Sequence, residues 1–263
     1  MKRPLEGQNV LVTGASSGIG RAIAIAAAEA GAEVGINYRS DKDGAEECAR
    51  RIAADGGRAH LLPADVSKPA EVERLFGEAD RLLGRIDVVV ANAGINGERE
   101  RCWEISIEDW RKPVEVNLFG TFYCVRQALQ RMVPQRGGVI LAITSVHELV
   151  PWAGHSAYTA AKAGVAMMVK SLALEASPYG VRVLAIAPGA IDTPLMTEDE
   201  GGGDSDSGDN QIPLKRVGQP EEIARLAVAL ASDAGAYVTG TSVFADGGMA
   251  AYPSFAYERE MEG

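Results

Sequence analysis

The sequence predicts an α/β fold: one doubly wound domain over residues 1–263, with a seven-stranded parallel sheet and helices on both faces. Three observations predict it. Short apolar runs alternate with longer stretches of helical periodicity almost to the end of the chain. Hydrophobic residues make up 46% and are rich in Ala, Val, Ile and Leu, while aromatics reach only 6%, as suits strands buried on both sides. Glycines stand where several of these runs stop.

Val10-Leu11-Val12 opens the series as a strand, and Ile19 to Ala30 follows as a helix ended by Gly31. Glu33 to Tyr38 is the second strand. Ala45 to Ala54 is a helix stopped by Gly56-Gly57, and Ala59 to Leu62 is the third strand. Glu71 to Leu83 continues the rhythm as a helix before a fourth strand, Ile86 to Val90. Two longer helices, Trp110 to Met132 and Ala157 to Ala176, then flank a fifth strand at Val139 to Ile143. Arg182 to Ile186, ending at Pro188-Gly189, is the sixth strand, and Ser242 to Ala245 the seventh. Helices of this length between strands demand parallel crossovers.

Two segments break the rhythm. Residues 197–210 are acidic, rich in Gly and Ser and aperiodic, which predicts a flexible loop. Its place after a strand end makes it a candidate lid. The tail from Tyr252, with Phe255 and Tyr257, carries rings too apolar to expose and is expected to pack on a neighbour.

A formal net charge of −10 argues against nucleic acid or anionic lipid as partner, since phosphate binding needs clustered Lys and Arg. No apolar run reaches the roughly 18 residues of a membrane span. Cys48, Cys102 and Cys124 have no metal-ligand spacing, so no metal is expected, and their odd number fits a reducing compartment. With no apolar core behind the N-terminal charges, a cytoplasmic location is expected.

Chemistry begins at Thr13-Gly14-Ala15-Ser16-Ser17-Gly18-Ile19-Gly20, between the first strand and its helix. Glycines let the turn tighten and let a diphosphate approach backbone N–H groups at the helix start, so Gly14, Ser16, Ser17, Gly18, Ile19 and Gly20 are the candidate dinucleotide cradle. A carboxylate that would bind a ribose 2′-OH is missing from Asn37-Tyr38-Arg39-Ser40 at the end of the second strand. Arg39 suits a 2′-phosphate instead, with Ser40 assisting, so NADP is the expected cofactor and NAD is tolerated.

Tyr158 and Lys162 stand at i and i+4 on a helix and therefore share a face. A free phenol titrates at about 10, too high for a base at neutral pH. An ammonium and a positive nicotinamide ring each favour phenolate, and each can lower a pKa by about 1–3. Ser145 lies thirteen residues before Tyr158, and His147, two beyond Ser145, shares its direction if strand geometry persists. His60 and His155 show no partner in sequence.

In order and spacing, these features resemble the short-chain dehydrogenase/reductase family across nearly the whole chain. The resemblance implies that Asp65 and Val66 contact an adenine ring. It also implies that Asn92-Ala93-Gly94 is a structural element beside the cofactor, and that Pro188, Gly189, Ile191 and Thr193 line the nicotinamide. Asn117, Ser145, Tyr158 and Lys162 match the family's catalytic tetrad. There, Tyr158 would exchange a proton with substrate, Ser145 would hold the substrate oxygen, Lys162 would lower the phenol pKa and bind ribose, and Asn117 would support a proton path.

Ser145-Val146-His147-Glu148, Pro151-Trp152 and the stretch Phe244 to Met249 before Tyr252-Pro253-Ser254-Phe255 are similar to the bacterial glucose 1-dehydrogenase subgroup. That implies oxidation of glucose or a related sugar to its lactone, with Ser145, His147, Tyr158 and Asn96 against substrate. Asn96 replaces that subgroup's glutamate, and Met196 its asparagine. The alternatives are NADPH-dependent reduction of a carbonyl or 3-oxoacyl compound, and a non-catalytic dinucleotide-binding regulator. The resemblance also implies a homotetramer with the long helices paired. In keeping with this, residues 157–176 are apolar all round, interleaving small residues with Met167, Met168 and Leu174.

Overall fold

The computed structural model describes residues 3–194 and 212–251. The acidic loop, Met196 and the tail from Tyr252 lie outside the described residues.

Seven strands among these residues form one parallel sheet. They are β1 (Asn9–Val12), β2 (Glu33–Tyr38), β3 (Arg58–Pro63), β4 (Val88–Ala91), β5 (Gly138–Ile143), β6 (Val181–Pro188) and β7 (Ser242–Ala245). Their spatial order is β3-β2-β1-β4-β5-β6-β7. The chain winds outward one way from β1 and then restarts the other way at β4. The crevice beyond the C-terminal ends of β1 and β4 is thus the switch point, where ligands of such sheets sit.

The helices are α1 (Gly18–Glu29), α2 (Lys42–Ala54), α3 (Pro69–Leu83), α4 (Ile107–Pro113), α5 (Thr121–Gln135), α6 (Ser156–Ala176) and α7 (Pro220–Ala231). Alternate strand residues point to opposite faces and build two cores. Val10, Val12, Val88, Val90, Leu141 and Ile186 pack with α1, α2 and α7. Leu11, Val89, Ala91, Ile140 and Ala185 pack with α3, α5 and α6. Cys48 and Cys124 are buried in these cores, while Cys102 is exposed.

Two departures from the sequence reading matter. α7 was not anticipated. It starts with Pro220 and a reciprocal cap between Gln219 and Glu222, and it buries Ile223, Ala224, Ala227, Leu230 and Ala231. The helix expected over residues 110–132 instead runs from Ile107 to Gln135 and is interrupted by a π-helical turn, Val114–Gly120. Pro113, which has no N–H to donate, precedes that turn, and Asn117 is fully buried within it.

Candidate active site

The glycine turn is built by crowding. Gly14 has φ 62°, and a Cβ there would lie 2.8 Å from Ala93 Cα. A Cβ on Gly20 would collide with the Gly14 carbonyl oxygen and the Asn92 amide. Both positions therefore exclude any side chain. Thr13 Oγ1 accepts hydrogen bonds from the backbone N–H groups of Asn92 (2.9 Å) and Ala93 (3.1 Å). In return, Asn92 Nδ2 donates to the carbonyls of Thr13 (2.9 Å) and Gly14 (3.1 Å). The turn after β1 and the Asn92-Ala93-Gly94 segment after β4 are thus laced into one unit at the switch point.

Asn37 is a brace the sequence reading missed. It is buried at the end of β2, where its Oδ1 accepts from Gly14 N–H (3.3 Å) and its Nδ2 donates to the carbonyls of Leu62 (3.0 Å) and Ala64 (3.1 Å). A polar residue inside an otherwise apolar strand was the available signal. Arg39 and Ser40 stand exposed just beyond it, and Arg39 makes no hydrogen bond or ion pair among the described residues. Asp65 accepts from the N–H and hydroxyl of Ser67 (2.9 and 2.8 Å), and Val66 is buried.

Ser17 occupies the cap position of α1 with no side-chain cap, leaving the backbone donors of Ile19 and its neighbours for an anion. A Cβ at Gly18 would lie 3.3 Å from Thr193 Cγ2, so the segment after β6 closes over the glycine turn. In that segment Pro188 ends β6, Gly189 lies against Asp246, and Ile191 is buried in a bridge to Gly218. An uncapped helix start under a side-chain-free cradle fits a dinucleotide diphosphate.

The four tetrad residues gather at the ends of β4 and β5. Asn117 Nδ2 donates to the Ile95 carbonyl (2.8 Å), and its Oδ1 accepts from Ile95 N–H (2.9 Å), which ties the π-helical turn to the segment after β4. A Cβ on Gly94 would lie 2.9 Å from Asn117 Oδ1 and 3.6 Å from Lys162 Nζ, so Gly94 keeps the space between them open. Lys162 is only 5% exposed. Its ammonium donates to the Ile143 carbonyl (2.9 Å) and lies 5.6 Å from the centre of the Tyr158 ring. Burial pushes that ammonium down to about 8, partly opposed by the charge of Glu148. Lys162 therefore remains a cation at neutral pH. Ser145 is buried, and its Oγ accepts from His147 N–H (3.2 Å), which leaves the hydroxyl hydrogen for another acceptor.

His147 reaches the site by a different route from the one expected. β5 ends at Ile143, and Val146–Glu148 forms a 3₁₀ turn, so strand alternation does not align His147 with Ser145. The turn nevertheless places its ring 6.3 Å from that of Tyr158. Its Nδ1 lies 3.0 Å from the Val150 carbonyl, which can only accept, so Nδ1 carries the hydrogen and Nε2 a lone pair. Burial holds the imidazole below its ordinary pKa, opposed by that hydrogen bond. Trp152 and His155 also stand here, stacked on one another. His60 lies elsewhere and pairs with Glu33 (2.6 Å). Asn96 is half-buried just past the Gly94 segment.

Among the described residues, no helix is long and apolar enough to cross a membrane. Residues 14–250 match a family model described as Enoyl-(Acyl carrier protein) reductase. The chain is 43% identical over 259 residues to 3beta-hydroxysteroid dehydrogenase 1 of Eggerthella lenta, covering 96% of this chain and 97% of that one. It is 40% identical over 255 residues to glucose 1-dehydrogenase 2 of Bacillus subtilis, covering 97% and 99%. The fold superposes on levodione reductase with a TM-score of 0.91 at 33% identity, covering 94% and 99%. A laced glycine turn at the switch point, a buried Tyr158–Lys162 pair beside Ser145 and near full-length relatives agree: the chain is an NAD(P)-binding oxidoreductase of the short-chain dehydrogenase/reductase family.

Proposed function

We propose that this protein oxidises the anomeric hydroxyl of glucose or a related sugar to its lactone, with NADP preferred and NAD tolerated. The observation that carries the reaction is the buried cluster of Ser145, Tyr158 and Lys162 beside the glycine cradle. The bound dinucleotide supplies the hydride acceptor. Ser145 donates its hydroxyl hydrogen to the substrate oxygen, and Tyr158 takes the alcohol proton. Lys162, a cation beside the phenol, favours phenolate and would hold the ribose of a bound dinucleotide. Asn117 holds the segment that frames Lys162 and supports the path by which the proton leaves. In the reverse direction Tyr158 donates instead.

Sugar as substrate is supported by the likeness to a glucose 1-dehydrogenase and by the polar side chains of Ser145 and His147 near Tyr158. The hydrogen bond from His147 Nδ1 to Val150 leaves Nε2 with a lone pair that can accept from a sugar hydroxyl. NADP preference is supported by the exposed Arg39 and Ser40 at the end of β2, where the buried Asn37 is already committed. A second reading, oxidation or reduction at a bulky apolar ring, is favoured by the hydroxysteroid dehydrogenase relative and by exposed Trp103 and Leu149.

A homotetramer is supported by the outer face of α5 and α6 with the π-helical turn, where Phe119, Phe122, Met167 and Leu174 are exposed. Sedimentation as a monomer contradicts it. Glucose, a steroid alcohol and a 3-oxoacyl thioester, each assayed with both cofactors by absorbance of the reduced nicotinamide, test the substrate. Glucose turnover with NADP is expected. Turnover of the steroid alone selects the second reading.

A further inference from the structure

Trp152 would ordinarily be read as a platform on which a sugar ring stacks. Its surroundings forbid that. The His147 ring lies parallel to the indole at 4.6 Å between centres, and the His155 ring does so at 3.6 Å, each within 12°. Two imidazoles sharing one face at those separations would overlap, so they take opposite faces. Both π surfaces of the indole are therefore occupied by protein. The Tyr158 ring meets Trp152 nearly perpendicularly, at 5.9 Å and 84°. That is the favoured edge-to-face geometry of aromatic pairs.

The stack itself is firmly anchored. His155 is 2% exposed and immediately precedes α6, the helix that carries Tyr158 and Lys162. Its N–H donates to the Trp152 carbonyl (3.2 Å), and its own carbonyl accepts from Thr159 N–H (3.0 Å). His147 is tied to the Val150 carbonyl and, through its backbone N–H, to Ser145 Oγ. The three rings therefore link the Ser145 turn to the start of α6.

We infer that Trp152 is a positioning residue for Tyr158, clamped between His147 and His155 so that its ring holds the phenol in line with Ser145 and the substrate, and that it is not a substrate-stacking surface. This rests on the proposed proton transfer by Tyr158.

The test compares Trp152→Leu and Trp152→Phe with wild type on the alcohol that wild type oxidises. Because a misplacement of about 1 Å can cost on the order of a hundred-fold, Trp152→Leu is expected to lower kcat by about ten- to a hundred-fold. KM should stay within about two-fold, the signature of an interaction used in the transition state rather than in substrate binding. Trp152→Phe, whose smaller ring meets Tyr158 less fully, should recover only part of the loss. A raised KM with kcat intact, or no change in either, overturns the inference.

A second measurement is independent of turnover and of whether Trp152→Leu folds. The Tyr158 phenol is titrated by ultraviolet difference against Tyr158→Phe with NADP bound, in wild type and in Trp152→Phe. A higher midpoint in Trp152→Phe, as the ring drifts from Lys162, supports positioning, and an unchanged midpoint refutes it. If no alcohol in the panel is oxidised, the proposed function fails while this titration still decides the role of Trp152.

Discussion

Lys162 is the costliest residue of the site, and its removal should make the protein more stable while destroying its chemistry. The ammonium is buried, and its pKa falls from 10.5 to about 8. Holding it protonated in the folded chain at neutral pH therefore costs roughly 3 kcal/mol relative to the unfolded chain. Replacing Lys162 with Met removes that cost with a side chain of similar length. It also forfeits the hydrogen bond to the Ile143 carbonyl, about 1 kcal/mol. The net gain is about 2 kcal/mol, or roughly 4–8 °C in Tm for a chain of this size.

The sign has a pH signature. The folded pKa lies below the unfolded one, so between about 8 and 10.5 the unfolded chain binds more protons and wild-type stability rises with pH. Below about 8 the penalty is complete and constant. The gap between Lys162→Met and wild type should thus be flat at neutral pH and close toward pH 10.5. Thermal unfolding followed by circular dichroism, without cofactor and at one protein concentration, reads this directly. A Lys162→Met protein that melts below wild type, or a gap that does not close with pH, would refute a desolvated ammonium. A stability gain with activity lost is the trade expected of a strained functional group.

Other perturbations report on neighbouring parts of the site. Gly94→Ala places a methyl 2.9 Å from Asn117 Oδ1, and kcat should fall by about ten-fold or more while the circular dichroism spectrum is kept. Asn117→Ala leaves both the N–H and the C=O of Ile95 without their side-chain partner, and urea unfolding should show a loss of about 2–3 kcal/mol. Arg39→Ala should raise KM for NADP by about ten-fold and leave KM for NAD within about two-fold, in steady-state assays of both cofactors. Equal effects on the two cofactors would remove Arg39 from the selection.

Much of this molecule is legible in its sequence. Every strand fell where a short apolar run stood, and in the central strands this is because cover on both faces leaves no room for polar alternation. The glycine turn and the Tyr158–Lys162 spacing were legible for a related reason: close backbone approach and a shared helix face are local geometric demands.

What escaped was long-range or broke a period. α7 has a readable signal in Pro220, Glu222 and the spacing of Ile223, Ala227 and Leu230, but it follows an aperiodic stretch that hides its start. Nothing in a helical pattern announces the slipped ladder at Asn117, which depends on a partner, Ile95, 22 residues away. The alignment of His147 with Ser145 depended on strand geometry persisting, and β5 ends at Ile143, two residues before Ser145. The His147–Trp152–His155 stack joins residues five and three apart in irregular chain, a spacing that no periodic rule flags.

The central claim is that Tyr158 carries the proton while hydride leaves the substrate carbon. It is tested most directly by turnover of Tyr158→Phe, measured as absorbance of the reduced nicotinamide at saturating NADP, beside wild type and with cofactor binding confirmed by fluorescence. The predicted result is intact cofactor binding with turnover lower by about a hundred- to ten-thousand-fold. Turnover within a few-fold of wild type would contradict the account.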